Sequence, residues 1–200
     1  MQKRTKNLTR FTLLICLILI AGIFVYYRYM NREKKTESES IPATEVEKLI
    51  SKDLDEGYPE TAKEVLNLYL RYVQCIYNSN PEDEQMQSLM GQLRKLYHSE
   101  LLAANQNDAQ FKKMQAELKK FAEDKIKIAT CTVDSSVKKK TIKGKECALL
   151  QVAFLLSNSD GYTKSYQKFV LAIENERWKI LGFQKISDTA IQAELTETEE

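Results

Sequence analysis

The chain has 200 residues, a formal net charge of +2 and a hydrophobic content of 43%. Beyond residue 35 it carries 22 basic and 27 acidic residues, so the larger part has a net charge of −5. That part is long enough for one domain with a real core, and its mild acidity excludes the concentrated basic face that nucleic-acid binding requires.

The first predicted element follows a basic tail of residues 1–10. Residues 11–27 are 17 residues without a charge, and as a helix they would span about 25 Å, close to the thickness of a bilayer core. Tyr26, Tyr27 and Tyr29 cluster at the distal end, where aromatic rings prefer the headgroup level. The pattern predicts a transmembrane helix over residues 11–29 that contacts the lipid bilayer.

A cleaved signal peptide is the alternative for this segment. Cleavage needs a shorter apolar core and small residues just before the cut, whereas residues 25–31 are bulky or charged. We therefore expect an uncleaved signal anchor in the cell membrane. Lys and Arg are balanced on the two sides, so the positive-inside rule does not decide the orientation. Because so short a tail is easily left in the cytosol, we expect the C-terminal domain to be extracytoplasmic.

A linker and three helices are predicted next. Residues 30–56 are charged and contain Pro42, which favours an extended linker, with the pattern of a short helical turn at residues 45–50. Thr61 and Glu64 form a capping box at the start of the first helix. The second helix begins at Pro81 and extends to His98, and the third follows Asn105 or Asn107 with an apolar stripe at Phe111, Met114, Leu118 and Phe121.

From Lys125 the apolar period shortens towards two, which predicts an antiparallel meander of four strands. The first strand, near residues 126–133, contains a slip that indicates a β-bulge. The other three cover residues 147–156, 162–173 and 178–186, and the lysines of residues 138–145 indicate a solvated hairpin tip. The predicted domain covers residues 57–186, and residues 187–200 form an acidic tail.

Three cysteines follow the predicted anchor: Cys75, Cys131 and Cys147. They lack the CxxC spacing of zinc or redox sites, so we expect them to be small buried hydrophobic residues. A disulfide between Cys131 and Cys147 on neighbouring strands is an alternative. His98 is the single histidine, so a histidine-pair metal site is excluded. We expect no metal and no cofactor.

A trio of Cys131, His98 and Arg177 invites comparison with membrane-anchored sortases. The sortase strand motif is absent before Cys131, and His98 falls on a predicted helix, where a C-terminal capping role is common. We therefore assign no catalytic residue. The acidic residues sit at predicted helix ends and in the linker, where they serve solvation and helix dipoles.

Four aromatic residues are the candidate ligand-binding residues: Tyr69, Tyr72, Tyr77 and Trp178. They could line a pocket, and stack on or hydrogen-bond to a ligand. The alternative is that they are core aromatics whose hydroxyl groups bind the backbone.

The order of three helices, a four-strand meander and the closing pattern of residues 176–182 resembles the nuclear transport factor 2-like, cystatin-like cone fold. With the predicted anchor and Gly57, Tyr58 and Pro59 before the first long helix, the whole chain resembles an uncharacterised family of single-pass membrane proteins from Gram-positive bacteria. The resemblance implies a cone whose mouth lies between the sheet and the first helix. Proteins of that fold act as enzymes, small-molecule binders or protein binders, so the fold alone does not choose a function.

The sequence therefore predicts an α+β protein: an N-terminal transmembrane helix, then three helices packed on a curved four-stranded antiparallel meander. The predicted function is a membrane-anchored extracytoplasmic domain that binds a protein partner or small ligand without catalysis. The alternative is a scaffold subunit of an envelope assembly, such as a secretion or conjugation machine, which would form homo-oligomers. A cone-fold enzyme is the third class.

Overall fold

The computed structural model describes residues 44–187. In this part five helices precede five strands, which confirms the predicted α+β class. The helices are α1 (Glu45–Ile50), α2 (Ala62–Ser79), α3 (Asp83–Arg94), α4 (Ser99–Ala104) and α5 (Asn107–Glu123). The strands are β1 (Lys127–Val133), β2 (Lys138–Ile142), β3 (Lys145–Asn158), β4 (Gly161–Glu174) and β5 (Arg177–Ile186).

The predicted number of three helices is wrong, partly because the second predicted helix is interrupted. It ends at Arg94, and α4 begins only at Ser99. Between them the backbone N–H of His98 donates to the carbonyl of Ile180 (2.9 Å), and the N–H of Ile180 donates to the carbonyl of Leu96 (2.8 Å). These bonds join the chain to the edge of β5, which the helical period of the sequence does not reveal.

The predicted number of four strands is also wrong, because β2 forms where we expected only a hairpin tip. Lys138 pairs with Leu149, and Ile142 pairs with Lys145. The lysines of β2 are typical of exposed edge strands, where their charges oppose pairing with other chains. The turn narrows to Lys143 and Gly144, whose φ angles of 50° and 78° suit a tight hairpin.

All five strands belong to one antiparallel sheet in the order β1-β3-β4-β5, with β2 also paired to β3. The predicted bulge in β1 is confirmed, since its register shifts between Ile128 and Thr130. Two side chains of α2 hold this bulge: Asn78 accepts from the N–H of Ile128 and donates to its carbonyl, both over 2.9 Å, and Gln74 donates to the same carbonyl over 3.1 Å. Helix α2 is thereby fixed against the sheet.

The segment before α2 packs with the rest of the domain. Thr44 and Glu47 form a capping box at the start of α1. Leu49 and Leu54 are each only 1% exposed and lie in the same core cluster as Phe169. The part of the predicted linker that lies within residues 44–56 therefore contributes to the core.

Within residues 44–187 no helix is long and apolar enough to cross a membrane. The segment of residues 11–29, on which the predicted transmembrane helix rests, lies outside the described residues, as do the basic tail before it and residues 188–200. For the described part the fold is corrected to five helices packed with a five-stranded sheet, without a membrane-spanning helix.

Candidate functional site

A cavity of about 810 Å³ lies between the sheet and helices α2 and α5. This volume is in the range of small-molecule sites, roughly 300 to 1,000 Å³. The apolar part of its wall consists of Val73, Met114, Phe121, Ile128, Phe154, Leu156 and Phe183, with Ala103, Ala104 and Ala109. The polar part consists of Tyr69, Tyr77, Tyr97, Asn105, Gln106, Gln110, Lys113, Glu117, Ser165 and Gln167.

Helical and strand periodicity position these side chains. Tyr69, Val73 and Tyr77 follow one another at steps of four along α2, so they share one face. Phe154 and Leu156 alternate along β3 with residues that point to the other face of the sheet. Helix α5 crosses the opposite side of the cavity and has a single buried residue, Leu118.

Aromatic rings form much of the wall. The Tyr69 ring centroid lies 5.5 Å from that of Phe169 and 6.2 Å from that of Phe183. The rings of Phe169 and Phe183 are stacked at 5.2 Å. Phe183 is nevertheless 46% exposed, so it presents an apolar surface to anything that enters the cavity.

Tyr77 and Glu117 form a polar link across the cavity from α2 to α5. The Tyr77 hydroxyl donates to Glu117 Oε2 over 2.5 Å. Burial first, and then this hydrogen bond, raise the pKa of Tyr77, so it stays a donor at neutral pH. Within residues 44–187 we find no hydrogen bond to Glu117 Oε1, which remains an open acceptor.

A second polar cluster joins α5 to the end of α3. Gln110 donates to the Tyr97 hydroxyl over 3.2 Å, while Arg94 donates to Gln110 Oε1 over 2.5 Å and to the Asn105 carbonyl over 2.8 Å. Burial raises the pKa of Tyr97. Burial also raises the pKa of Tyr69, and the neighbouring Tyr97 adds to this effect. Tyr97, Asn105 and Gln110 of the cavity wall therefore belong to one hydrogen-bond network through Arg94.

Two of the four predicted ligand-binding residues line the cavity, and the other two do not. Tyr69 and Tyr77 line the cavity. The fully buried Tyr72 does not; its hydroxyl donates to the Leu49 carbonyl over 3.0 Å, and burial raises its pKa to about 12. Trp178 packs against the core outside the cavity, and its carbonyl accepts from the Tyr58 hydroxyl over 2.8 Å.

The sequence reasoning missed Glu117 and Lys113 as residues of the cavity wall. Met114 and Phe121 belong to the predicted apolar stripe of the third helix, and Glu117 lies between them on the same face at helical spacing. A charged residue within an apolar stripe was therefore the available signal. It was obscured because other charged residues surround it along the helix.

His98, Cys131 and Arg177, the three residues compared with those of sortases, take part in separate contacts. His98 is 4% exposed and caps α4 at its N-terminus, where Nδ1 accepts from the N–H of Glu100 over 3.1 Å. Arg177 donates to the carbonyls of Leu54 (3.3 Å) and Asp55 (2.9 Å). Cys75, Cys131 and Cys147 are all free thiols, so Cys131 and Cys147 do not pair.

Metal binding by acidic, histidine or cysteine side chains needs several of them together. Within residues 44–187 no group of three or more such side chains could hold a metal ion. The candidate site of the described domain is therefore the cavity between the sheet, α2 and α5.

Comparison with curated proteins gives no match. Comparison with solved structures gives no match either. Residues 1–183 match the sequence model of DUF6715, described as a domain of unknown function. Because this match covers most of the chain, the protein belongs to the DUF6715 family.

Proposed function

We propose that the domain of residues 44–187 binds a small amphiphilic ligand in the cavity between the sheet, α2 and α5, without catalysing a reaction on it. The observation that carries this proposal is the composition of the cavity wall, in which aromatic and aliphatic side chains surround a few polar groups. Such walls are typical of small-molecule binding sites, where apolar contacts give affinity and polar groups give orientation.

The apolar wall favours a ligand with an apolar body. Ile128, Phe154 and Leu156 supply the sheet side of this wall, and Met114 and Phe121 supply the α5 side. Each Å² of apolar surface that a ligand buries here contributes roughly 25 cal/mol. The half-exposed ring of Phe183 would lose contact with water when the cavity is filled.

The polar groups favour a ligand that also carries a polar head. Glu117 keeps an acceptor open, and the side chains of Lys113, Ser165 and Gln167 make no hydrogen bond or ion pair within residues 44–187. Polar side chains that line a cavity without a protein partner are satisfied by water or by a ligand. An amphiphile satisfies both parts of the wall.

Several predictions from the sequence stay predictions. Location at the cell membrane rests on residues 11–29, which lie outside the described part. The cone-fold resemblance and the proposed relation to Gram-positive membrane proteins rest on sequence pattern alone. The same holds for the alternative role as a homo-oligomeric scaffold of an envelope assembly.

The test uses the methionines of the chain as reporters. Met114 lines the cavity, whereas Met86 is 1% exposed in the core outside it. The full-length protein carrying ¹³C-labelled methionine methyl groups is titrated with 1-decanol, a neutral amphiphile. We expect the Met114 methyl signal to shift with saturation while the Met86 signal stays in place.

A matched pair of variants tests whether 1-decanol binds in the cavity. Ala109→Trp places a large ring in the cavity wall and should abolish the shift of Met114. Ala116→Trp makes the same change at an exposed position of α5 outside the wall, and it should leave the shift intact. An unmoved Met114 signal, or equal binding by the two variants, would contradict the proposal.

A further inference from the structure

We infer that the ligand of this cavity has a zwitterionic head group, with an ammonium group seated at Glu117 and an anionic group facing Lys113. The inference rests on the proposed function, because it assigns the head-group chemistry of the amphiphile that the cavity would bind.

The seat for the ammonium group is built from a fixed carboxylate and two rings. Tyr77 holds Oε2 of Glu117, which leaves Oε1 free to face a cation. The rings of Tyr77 and Phe121 meet edge to face with centroids 4.6 Å apart beside it. Aromatic faces attract cations, and a carboxylate that is already held in place loses little freedom on binding one.

The anionic group of the ligand is assigned to Lys113. Lys113 precedes Glu117 by four residues on α5, so the two side chains are neighbours on one face, with Cβ atoms about 5–6 Å apart. Both line the cavity, but they form no ion pair, and Lys113 has no other partner within residues 44–187. Its ammonium group is available to an anion.

The charge balance of the wall supports one head group of each sign. Among the described residues that line the cavity, Glu117 and Lys113 are the sole carboxylate and ammonium, and their charges sum to zero. A ligand with a single charge can pair with the partly buried Glu117 or with the exposed Lys113, but not with both. A zwitterion whose opposite charges are about one helical turn apart compensates both.

The test compares three amphiphiles with the same ten-carbon chain, each below its micelle concentration: decylphosphocholine, decyltrimethylammonium and decyl sulfate. The Met114 methyl signal of the full-length protein reports binding. We expect decylphosphocholine to bind about tenfold more tightly than either of the other two. Glu117→Gln should weaken binding of decylphosphocholine and decyltrimethylammonium, and Lys113→Gln that of decylphosphocholine and decyl sulfate.

Lys119→Gln and Glu123→Gln are the matched controls, since both residues are exposed on α5 outside the cavity, and neither should change the order of affinities. If 1-decanol binds but the three charged amphiphiles bind equally, or a singly charged one binds best, the zwitterion assignment is overturned and the proposed function stands. If 1-decanol and all three charged amphiphiles leave Met114 unmoved, both the assignment and the proposed function fail.

Discussion

The hydroxyl of Tyr77 donates to Glu117 Oε2 over 2.5 Å and so joins α2 to α5 across the cavity. Helix α5 needs such links because Leu118 is its single buried residue. Phe111, Met114 and Phe121 of the same helix are only partly buried where they pack against the core. The hydrogen bond from Tyr77 therefore adds a polar contact to the apolar packing that positions α5 beside the cavity.

Removing the Tyr77 hydroxyl should destabilise the domain. In Tyr77→Phe the half-buried carboxylate of Glu117 loses its donor, which should cost about 1 kcal/mol in the free energy of unfolding. Urea denaturation of the variant and the parent protein measures this difference. Tyr166→Phe is the control, because the Tyr166 hydroxyl makes no hydrogen bond within residues 44–187. Equal effects of the two substitutions would show that the link to Glu117 contributes nothing.

The Tyr72 hydroxyl should matter for stability but not for the cavity. Tyr72→Phe leaves the buried carbonyl of Leu49 without its donor, and we expect a loss of about 1 kcal/mol in the free energy of unfolding. The shift of the Met114 methyl signal with 1-decanol should be unchanged, because Tyr72 does not line the cavity. A weakened response to 1-decanol would mean that Tyr72 influences the site.

The segment around α1 should behave as core. Leu49 is 1% exposed, so Leu49→Ala should lower the free energy of unfolding by about 3 kcal/mol, as buried Leu-to-Ala substitutions do. Val137→Ala is the control at an apolar residue that is 41% exposed, and it should stay within about 0.5 kcal/mol. A loss of similar size in both variants would argue that α1 is not part of the folded core.

Acidification should reveal the carboxylate that holds α4. Burial alone would raise the pKa of Glu174, but hydrogen bonds from Ser99 and the charge of His98 outweigh it and hold the pKa below the ordinary value of 4.5. The unfolded chain therefore binds the proton first as pH falls, so this contribution is present above pH 4.5 and is lost below it. Because the carboxylate is still partly exposed to solvent, the effect should be at most about 1 kcal/mol.

The free energy of unfolding is measured for the parent protein and for Glu174→Gln from about pH 6 to about pH 3. This range includes the ordinary pKa of a carboxyl group. The stability of the variant should fall less steeply below pH 4.5. Glu176→Gln, in the neighbouring exposed turn, should keep the slope of the parent. Parallel curves for the parent and Glu174→Gln would exclude this role of Glu174.

The three described cysteines should react slowly in the folded protein. Burial raises the pKa of Cys131 to about 11, and it also raises the pKa of Cys75, while Cys147 is fully buried. The thiolate is the reactive form, so iodoacetamide at pH 8 should modify all three at least about tenfold more slowly than after unfolding in urea. Peptide mapping by mass spectrometry resolves each site. Rapid modification of native Cys131 would contradict the protection that its partial burial should give.

Local sequence chemistry predicted those elements whose ends carry their own signals. The capping box of Thr61 and Glu64 marks the start of α2, and both hydrogen bonds of the box are present. The slip in apolar alternation after Ile128 marks the bulge of β1. The end of α3 at Arg94 carries no such signal, because the helical apolar pattern continues through Tyr97. The helix is interrupted there because Tyr97 pairs with Ile180 of β5.

The cavity could not be predicted from local sequence patterns, because its wall also depends on contacts between distant residues. Tyr69, Tyr72 and Tyr77 belong to one apolar stripe of α2, and the sequence determines that they face inward. Only the placement of α1, α5 and the sheet around α2 decides that Tyr72 binds Leu49 while Tyr69 and Tyr77 face a cavity. Periodicity specifies the face of a helix, whereas the partner of each side chain on that face depends on residues distant in the chain, as Glu117 is from Tyr77.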